Sequence, residues 1–83
     1  MKNLHHVYIL VSESHPGKHY TGLTADLDAR LASHNSGQVP HTSKFRPWRI
    51  ETAVAFHSRQ KARAFETYLE GLHRLKAVDS SGD

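Results

Sequence analysis

The sequence predicts an α/β (α+β) domain in which a small sheet carries helices, in the order β-β-α-β-α. Apolar residues alternate with a period of two in some segments and recur at helical spacing in others. The length of 83 residues, with 37% hydrophobic content, allows only one core. We therefore expect one domain over residues 1–76, followed by a polar C-terminal tail over residues 77–83.

The first two predicted strands form a hairpin. Apolar and β-branched residues alternate over residues 6–12, which predicts a largely buried strand. The Pro16-Gly17 pair is typical of a turn, because proline fixes φ and glycine tolerates positive φ. Residues 18–22 are therefore expected to return as the second strand.

The first predicted helix covers about residues 26–35. Leu27 and Leu31 fall at helical spacing, so we expect them to face the core. Thr24 or Asp26 can cap the start of this helix, because either side chain can accept a hydrogen bond from a first-turn amide.

A polar pair lies beside the apolar face of this helix. Arg30 and His34 are four residues apart and therefore share one stripe of the helix surface. We expect that stripe to face a groove. Gly37 is expected to end the helix, since glycine readily adopts the left-handed conformation found after helix C-termini.

The second half of the chain predicts a loop, a strand and a helix. Residues 37–47 contain two prolines and no periodic apolar signal, which predicts a loop. Apolar residues alternate from Trp48 to Phe56, which predicts a third strand that begins with Trp48 in the core. Ser58 can cap a second helix over about residues 59–76.

The composition narrows the classes of function. The formal charge of +3 and the sequence pI near 9.5 favour a polyanionic partner, and two acids, Asp79 and Asp83, lie in the predicted tail. The absence of cysteine excludes disulfides and thiolate zinc sites. No segment has the apolar run of a signal peptide or of a membrane span, so we expect a cytoplasmic protein with no membrane partner.

Two tyrosine-containing motifs precede an arginine and a late glutamate. His6-Val7-Tyr8 is followed, after eleven residues, by Tyr20-Thr21-Gly22; Arg30 lies eight residues beyond Gly22, and the last helix carries Glu66. This ordered set resembles the GIY-YIG nuclease superfamily over about residues 5–70, and within it the small stand-alone members. The resemblance to the small stand-alone members rests on three segments: Tyr20-Thr21-Gly22-Leu23-Thr24-Ala25-Asp26-Leu27-Asp28-Ala29-Arg30-Leu31, His34-Asn35-Ser36-Gly37 and Thr42-Ser43-Lys44-Phe45-Arg46-Pro47-Trp48.

The resemblance implies a fold and a set of roles. It implies a three-stranded antiparallel sheet with metal-dependent hydrolysis on one face. Tyr20 would be the catalytic phenol that orients or deprotonates the attacking water, with assistance from Tyr8. Arg30 would hold the scissile phosphate, a role suited to a planar guanidinium, and His34 would lie near the same phosphate. Glu66 would be the only protein ligand of Mg²⁺ or Mn²⁺.

The chain departs from the family pattern at several positions. His6 occupies the glycine position of the first motif, and Thr21 replaces isoleucine in the second. Leu23 stands where DNA-repair members carry lysine, a charge for which Lys18 or Lys44 can substitute. Residues 70–74 lack the basic, glycine- and serine-rich continuation of the nearest stand-alone members, which weakens the expected grip on DNA at this end.

Three basic residues outside the motifs are candidates for contact with nucleic acid. Lys18 begins the second predicted strand, whereas Lys44 and Arg46 lie in the predicted loop and flank Phe45, so that cations and an aromatic ring are combined. The simpler interpretation is that these cations only keep the loops soluble. The His5-His6 and His15/His19 pairs lack an assured third ligand, so we do not expect a zinc site.

Two functions remain open from the sequence. The first is a Mg²⁺-dependent endonuclease that hydrolyses DNA phosphodiester bonds and prefers branched or single-stranded DNA, since so small a domain lacks surface for a long specific contact. RNA stays open as a substrate. The alternative is a non-catalytic nucleic-acid-binding module on the same fold; a purely structural domain fits the motif residues poorly. A monomer is the default, and a dimer would be one way to cut both strands.

Overall fold

The structure, a computed structural model, describes residues 4–81, with side chains described up to residue 72. It confirms the order β-β-α-β-α and the three-stranded antiparallel sheet. The elements are β1 (His5–Ser12), β2 (His19–Thr24), α1 (Leu27–Ser36), β3 (Trp48–Phe56) and α2 (Arg59–Ser81), and a short 3-10 turn (Ser43–Phe45) precedes β3.

The central strand of the sheet is β1, because the strand order is β2-β1-β3. Tyr8 on β1 lies opposite Gly22 on β2 and Ala53 on β3. Directly paired residues of antiparallel strands point to the same face, so these three share one face of the sheet. Val7 points to the other face. Both β1 residues are 1% exposed, which shows that both faces of the central strand are covered.

Helix α1 covers the face that carries Tyr8. The Asp26 side chain accepts a hydrogen bond from the Ala29 amide at 3.1 Å, and Gly37 ends the helix with φ 86°, as the sequence predicts. The buried core on this side consists of Tyr8, Leu10 and Trp48, which confirms the expected position of the tryptophan. The partly buried residues packed against it are Tyr20, Leu27, Leu31, Phe45 and Ile50.

Helix α2 covers the opposite face. The Ser58 hydroxyl caps the start of α2 by accepting a hydrogen bond from the Lys61 amide at 3.2 Å. Ala62 is fully buried, and the Phe65 ring contacts Phe56 with a centroid distance of 5.5 Å. Phe56 pairs with His5, which is on the same face as Val7. Within the described residues, no helix is both long and apolar enough to cross a membrane.

The end of α2 corrects the expected tail. The helix continues to Ser81, beyond the predicted end at residue 76, so the expected tail of residues 77–83 is helical over 77–81. Asp79 and Ser80 are only weakly unfavourable in a helix, and no proline or glycine interrupts the chain between these residues and Gly82. The last two residues of the expected tail, 82–83, lie outside the described part of the chain.

The phenol of Tyr8 lies directly over Gly22 on the neighbouring edge strand. A Cβ atom built on Gly22 would overlap the Tyr8 hydroxyl and would lie 2.8 Å from Cε1 of its ring. Only glycine leaves room for this side chain to cross β2. The second motif therefore ends in glycine for a steric reason, and the Tyr8 hydroxyl is delivered to the edge of the sheet.

We predict that Gly22→Ala lowers the free energy of unfolding by about 1–3 kcal/mol, the usual cost of forcing an extra carbon into a packed site. Gly17→Ala is the matched control, because a Cβ there meets nothing within 4 Å. Urea unfolding of both variants measures the difference. Equal stability of the two variants would contradict the close approach of Tyr8 to β2.

Candidate active site

Three aromatic rings meet on the α1 face of the sheet. The Tyr8 hydroxyl is 3.1 Å from Nε2 of His34, and the Tyr8 and Tyr20 ring centroids are 6.3 Å apart. The Tyr20 and His34 rings are closer still, at 4.7 Å. Tyr8 comes from the central strand, Tyr20 from the edge strand and His34 from α1, so three separate elements deliver the cluster.

The hydrogen bonds of His34 define which of its nitrogens carries the proton. The Thr42 hydroxyl donates its one hydrogen to the Val39 carbonyl at 3.2 Å, so it accepts from Nδ1 of His34 at 2.9 Å. Nδ1 therefore carries the proton of the neutral ring. Nε2 is left as an acceptor, and the Tyr8 hydroxyl donates to it. The Tyr8 oxygen keeps its lone pairs for another donor.

His34 corrects the expected polar stripe on α1. The sequence predicts that Arg30 and His34 together face a groove, but His34 is 0% exposed whereas Arg30 is exposed. Burial and the nearby Arg30 guanidinium both lower the pKa of His34, in that order of size, which favours the neutral ring. In this conformation His34 contacts Tyr8 and Thr42, both inside the protein, and does not face solvent.

The guanidinium of Arg30 lies next to both phenols. A hydrogen bond with Tyr8, followed by the charge interactions with Tyr8 and Tyr20, raises the pKa of Arg30. Burial raises the pKa of Tyr8, and Arg30 opposes this effect because a cation favours the phenolate. The side chain of Arg30 thus lies near both phenols and is accessible to solvent.

Glu66 lies on the other face of the sheet from the aromatic cluster. It lies on α2 and lines a cavity with Leu23 and Thr24 at the end of β2, which is an edge strand. Its negative charge is the last and smallest of the effects that raise the pKa of Tyr8. The four remaining candidates share the α1 face, whereas Glu66 lies on the α2 side, at the end of β2.

The electrostatics of Glu66 suit a cation ligand. Its side chain is 14% exposed; burial, followed by the charge of Glu70, raises its pKa, and Arg63 at 3.7 Å opposes the shift only in part. The described residues contain no group of three or more potential metal ligands. A divalent ion here would have one protein carboxylate, with water and substrate oxygens completing its shell, an arrangement that Mg²⁺ accepts.

The three loop cations lie away from Glu66. Lys18 is 5.3 Å from the centre of the Phe45 ring, and it precedes β2, whereas Glu66 lies near the end of that strand. Arg46 donates from Nε to the Ser43 carbonyl at 2.7 Å, and Lys44 is exposed in the same 3-10 turn. These cations belong to the loop end of the domain.

Sequence reasoning missed Thr42 as a partner of the site. Thr42 is 2% exposed, and its carbonyl also accepts a hydrogen bond from the Trp48 indole at 2.8 Å. It lies in the segment predicted only as a loop, where no periodic pattern marks a buried residue. Two signals were available: Thr42 begins one of the segments that carry the family resemblance, and the indole N–H of the buried tryptophan that follows requires a nearby acceptor.

A family model described as the GIY-YIG catalytic domain matches residues 4–77. The chain belongs to this family, which forms a nuclease superfamily whose substrates are nucleic acids and whose members typically use divalent metal ions.

Small relatives cover nearly the whole chain. The UPF0213 protein BH0048 from Halalkalibacterium halodurans is 38% identical over 87% of this chain and 76% of its own. The UPF0213 protein VNG_2274C from Halobacterium salinarum is 33% identical over 88% of this chain and 94% of its own. The solution NMR structure of the UPF0213 protein BH0048 from Bacillus halodurans matches with a TM-score of 0.51 and 31% identity, over 95% of this chain and 86% of that one.

The buried histidine predicts a pH dependence of stability. Because the pKa of His34 is lowered in the folded state, the unfolded chain binds the proton more readily just below the ordinary value of 6.5. Stability should therefore fall as the pH decreases through this range. His34→Gln keeps a donor and an acceptor but cannot titrate, so urea unfolding between pH 7.5 and 5.5 should show a shallower loss for the variant. Equal losses would contradict the prediction.

The raised pKa of Glu66 predicts that the carboxylate proposed to bind the metal ion lowers the stability of the metal-free protein. Above that pKa the ionised carboxylate is less favourable in the folded state than in the unfolded state, so Glu66→Gln should stabilise the metal-free protein at pH 7. Adding Mg²⁺ should raise the unfolding temperature of the wild type but not of this variant. Glu13→Gln, which loses an exposed pair with Arg49, is the control. Equal gains with Mg²⁺ would exclude Glu66 as the ligand.

Proposed function

We propose that the protein is a Mg²⁺-dependent endonuclease that hydrolyses DNA phosphodiester bonds on the α1 face of the sheet, next to its β2 edge. The observation that supports this most is the cluster of Tyr8, Tyr20 and His34 on the face of the sheet that α1 covers, because α1 also presents the exposed Arg30 there. A planar guanidinium at this position can hold a phosphate with two parallel hydrogen bonds.

Tyr20 has the better access to an attacking water. It is only partly buried, whereas Tyr8 is 1% exposed. We assign water orientation to the Tyr20 oxygen. The Tyr20 hydroxyl can accept the proton of the attacking water while its own proton passes to solvent, and its partial exposure permits this. The attacking oxygen bonds to phosphorus, and the bond to the leaving-group oxygen breaks.

Tyr8 and His34 are both buried, so they act from inside the protein. The Tyr8 hydroxyl donates to Nε2 of His34, and its oxygen faces Arg30. A neutral His34, whose pKa is lowered, is a good acceptor and a poor store for a proton. Both residues are therefore positioning residues, which hold Arg30 where a phosphate would bind. At Glu66, a divalent ion would supply charge stabilisation at a phosphate oxygen.

The substrate class follows from charge and size. The chain has a net charge of +3, and Lys18, Lys44 and Arg46 would contact the DNA backbone at the loop end of the domain. So small a surface suits branched or single-stranded DNA better than a long duplex sequence. RNA is tested beside it as a substrate.

Nicking of supercoiled plasmid, with and without Mg²⁺, tests the proposal. Removing one charged donor to a developing phosphorane costs about 10²–10³-fold in rate, so we expect at least that loss for Arg30→Ala. Glu66→Ala should lose the response to Mg²⁺, and Tyr20→Phe should be slower than Tyr8→Phe. Tyr68→Phe is the control for the phenols, because Tyr68 is 60% exposed on α2.

Two outcomes would end the nuclease proposal. One is equal, metal-independent nicking by the wild type and all variants, which would point to a contaminant. The other is an absence of cleavage on plasmid, branched DNA, single-stranded DNA and RNA. If salt-sensitive binding remained in the second case, the protein would be a nucleic-acid-binding module on the same fold.

A further inference from the structure

A cavity of about 280 Å³ lies where the end of β2 meets the start of α2. It is separate from the aromatic cluster and shares only Glu66 with the site proposed above. Its walls are formed by His5, Leu23, Thr24, Arg59, Arg63 and Glu66.

The cavity carries an excess of positive charge. Arg59 and Arg63 are four residues apart on α2 and so lie on the same face of the helix, where two like charges repel each other. Arg63 is 3.7 Å from Glu66, the only acid among the described residues that line the cavity, and the Arg63 side chain is 66% exposed. Arg59 has no ion pair among the side chains that the structure describes. An anion between the arginines would relieve their repulsion.

The position of the cavity indicates the source of that anion. The cavity lies at the end of β2, the strand that also carries Tyr20 and over whose Gly22 the Tyr8 phenol passes, so cavity and aromatic cluster border the same edge strand. A nucleic-acid strand that presents one phosphate to Arg30 and runs past Glu66 would therefore place another phosphate near the cavity. The two arginines can donate to it in parallel.

We infer that this cavity binds a second phosphate of the nucleic-acid strand, with Arg59 and Arg63 as donors. The inference rests on the proposed function and adds a binding subsite on α2. It also explains how the chain can carry the apolar Leu23 where the family resemblance leads one to expect lysine. The cations that line the cavity beside Leu23 come instead from α2. Lys18 cannot replace them, because five residues of extended strand separate it from Leu23 by about 16 Å.

Salt-dependent binding measures this interaction directly. Anisotropy of a labelled single-stranded oligonucleotide, without divalent ions, gives the slope of log affinity against log salt, whose magnitude falls by about 0.7 for each phosphate that the protein no longer neutralises. We expect Arg59→Gln and the double variant with Arg63→Gln to bind more weakly and to show a slope reduced by about that much. Arg49→Gln is the control: its side chain is 61% exposed on β3, away from the cavity, and it should keep the wild-type slope.

A second measurement identifies the anion site. Titration with inorganic phosphate should shift the amide resonances of Leu23 and Thr24 in the wild type and in Arg49→Gln, but not in Arg59→Gln. Arg59 is the first residue to change, because Arg63 also pairs with Glu66. Unfolding temperatures close to that of the wild type would show that the variants are folded, and Arg63→Lys replaces Arg63→Gln if that variant unfolds.

The outcomes separate this inference from the nuclease proposal. A wild type that cuts DNA while Arg59→Gln keeps the full salt slope would overturn the inference alone. Phosphate shifts without a change of slope would also overturn it, since the cavity would then hold free phosphate and not a strand. A wild type that neither cuts nor binds nucleic acid would contradict the proposed function, and the inference would fail with it.

Discussion

The arrangement of the site depends on one steric fact, the passage of the Tyr8 side chain over Gly22. A tyrosine side chain on the central strand of a sheet would ordinarily pack among the side chains around it without crossing the adjacent strand. Because the neighbouring strand has no Cβ at this position, the Tyr8 hydroxyl reaches His34 and Arg30. The glycine of one motif and the tyrosine of the other thus form a single structural unit.

The second constraint is the hydrogen-bond chain that ends at the Val39 carbonyl. Each hydroxyl in it has one proton to donate, so the direction of every bond is determined once Thr42 donates to Val39. The chain fixes the tautomer of His34 and leaves the Tyr8 oxygen to face the arginine. The segment between α1 and β3 therefore controls groups on α1 and β1, and this explains why it contains the buried hydroxyl of Thr42.

Local patterns predicted most of the fold. The helix cap at Asp26, the glycine that ends α1 and the buried Trp48 each follow from short stretches of sequence, and the structure confirms them. The burial of His34 was not predictable in this way, because its partner Thr42 lies in a loop without periodicity. The cavity beside Arg59 was missed for a related reason: it exists only once α2 packs against the end of β2.

The position of β2 at the edge of the sheet also restricts how two copies of this chain can associate. Within the sheet, β2 pairs with β1 alone. A strand from a second copy that extended the sheet there would run along the side where the Tyr8 phenol passes over Gly22 and where the cavity beside Glu66 lies. Self-association by that route would block the entrance for any ligand, so a dimer with two working sites has to use another surface, such as the outer side of β3.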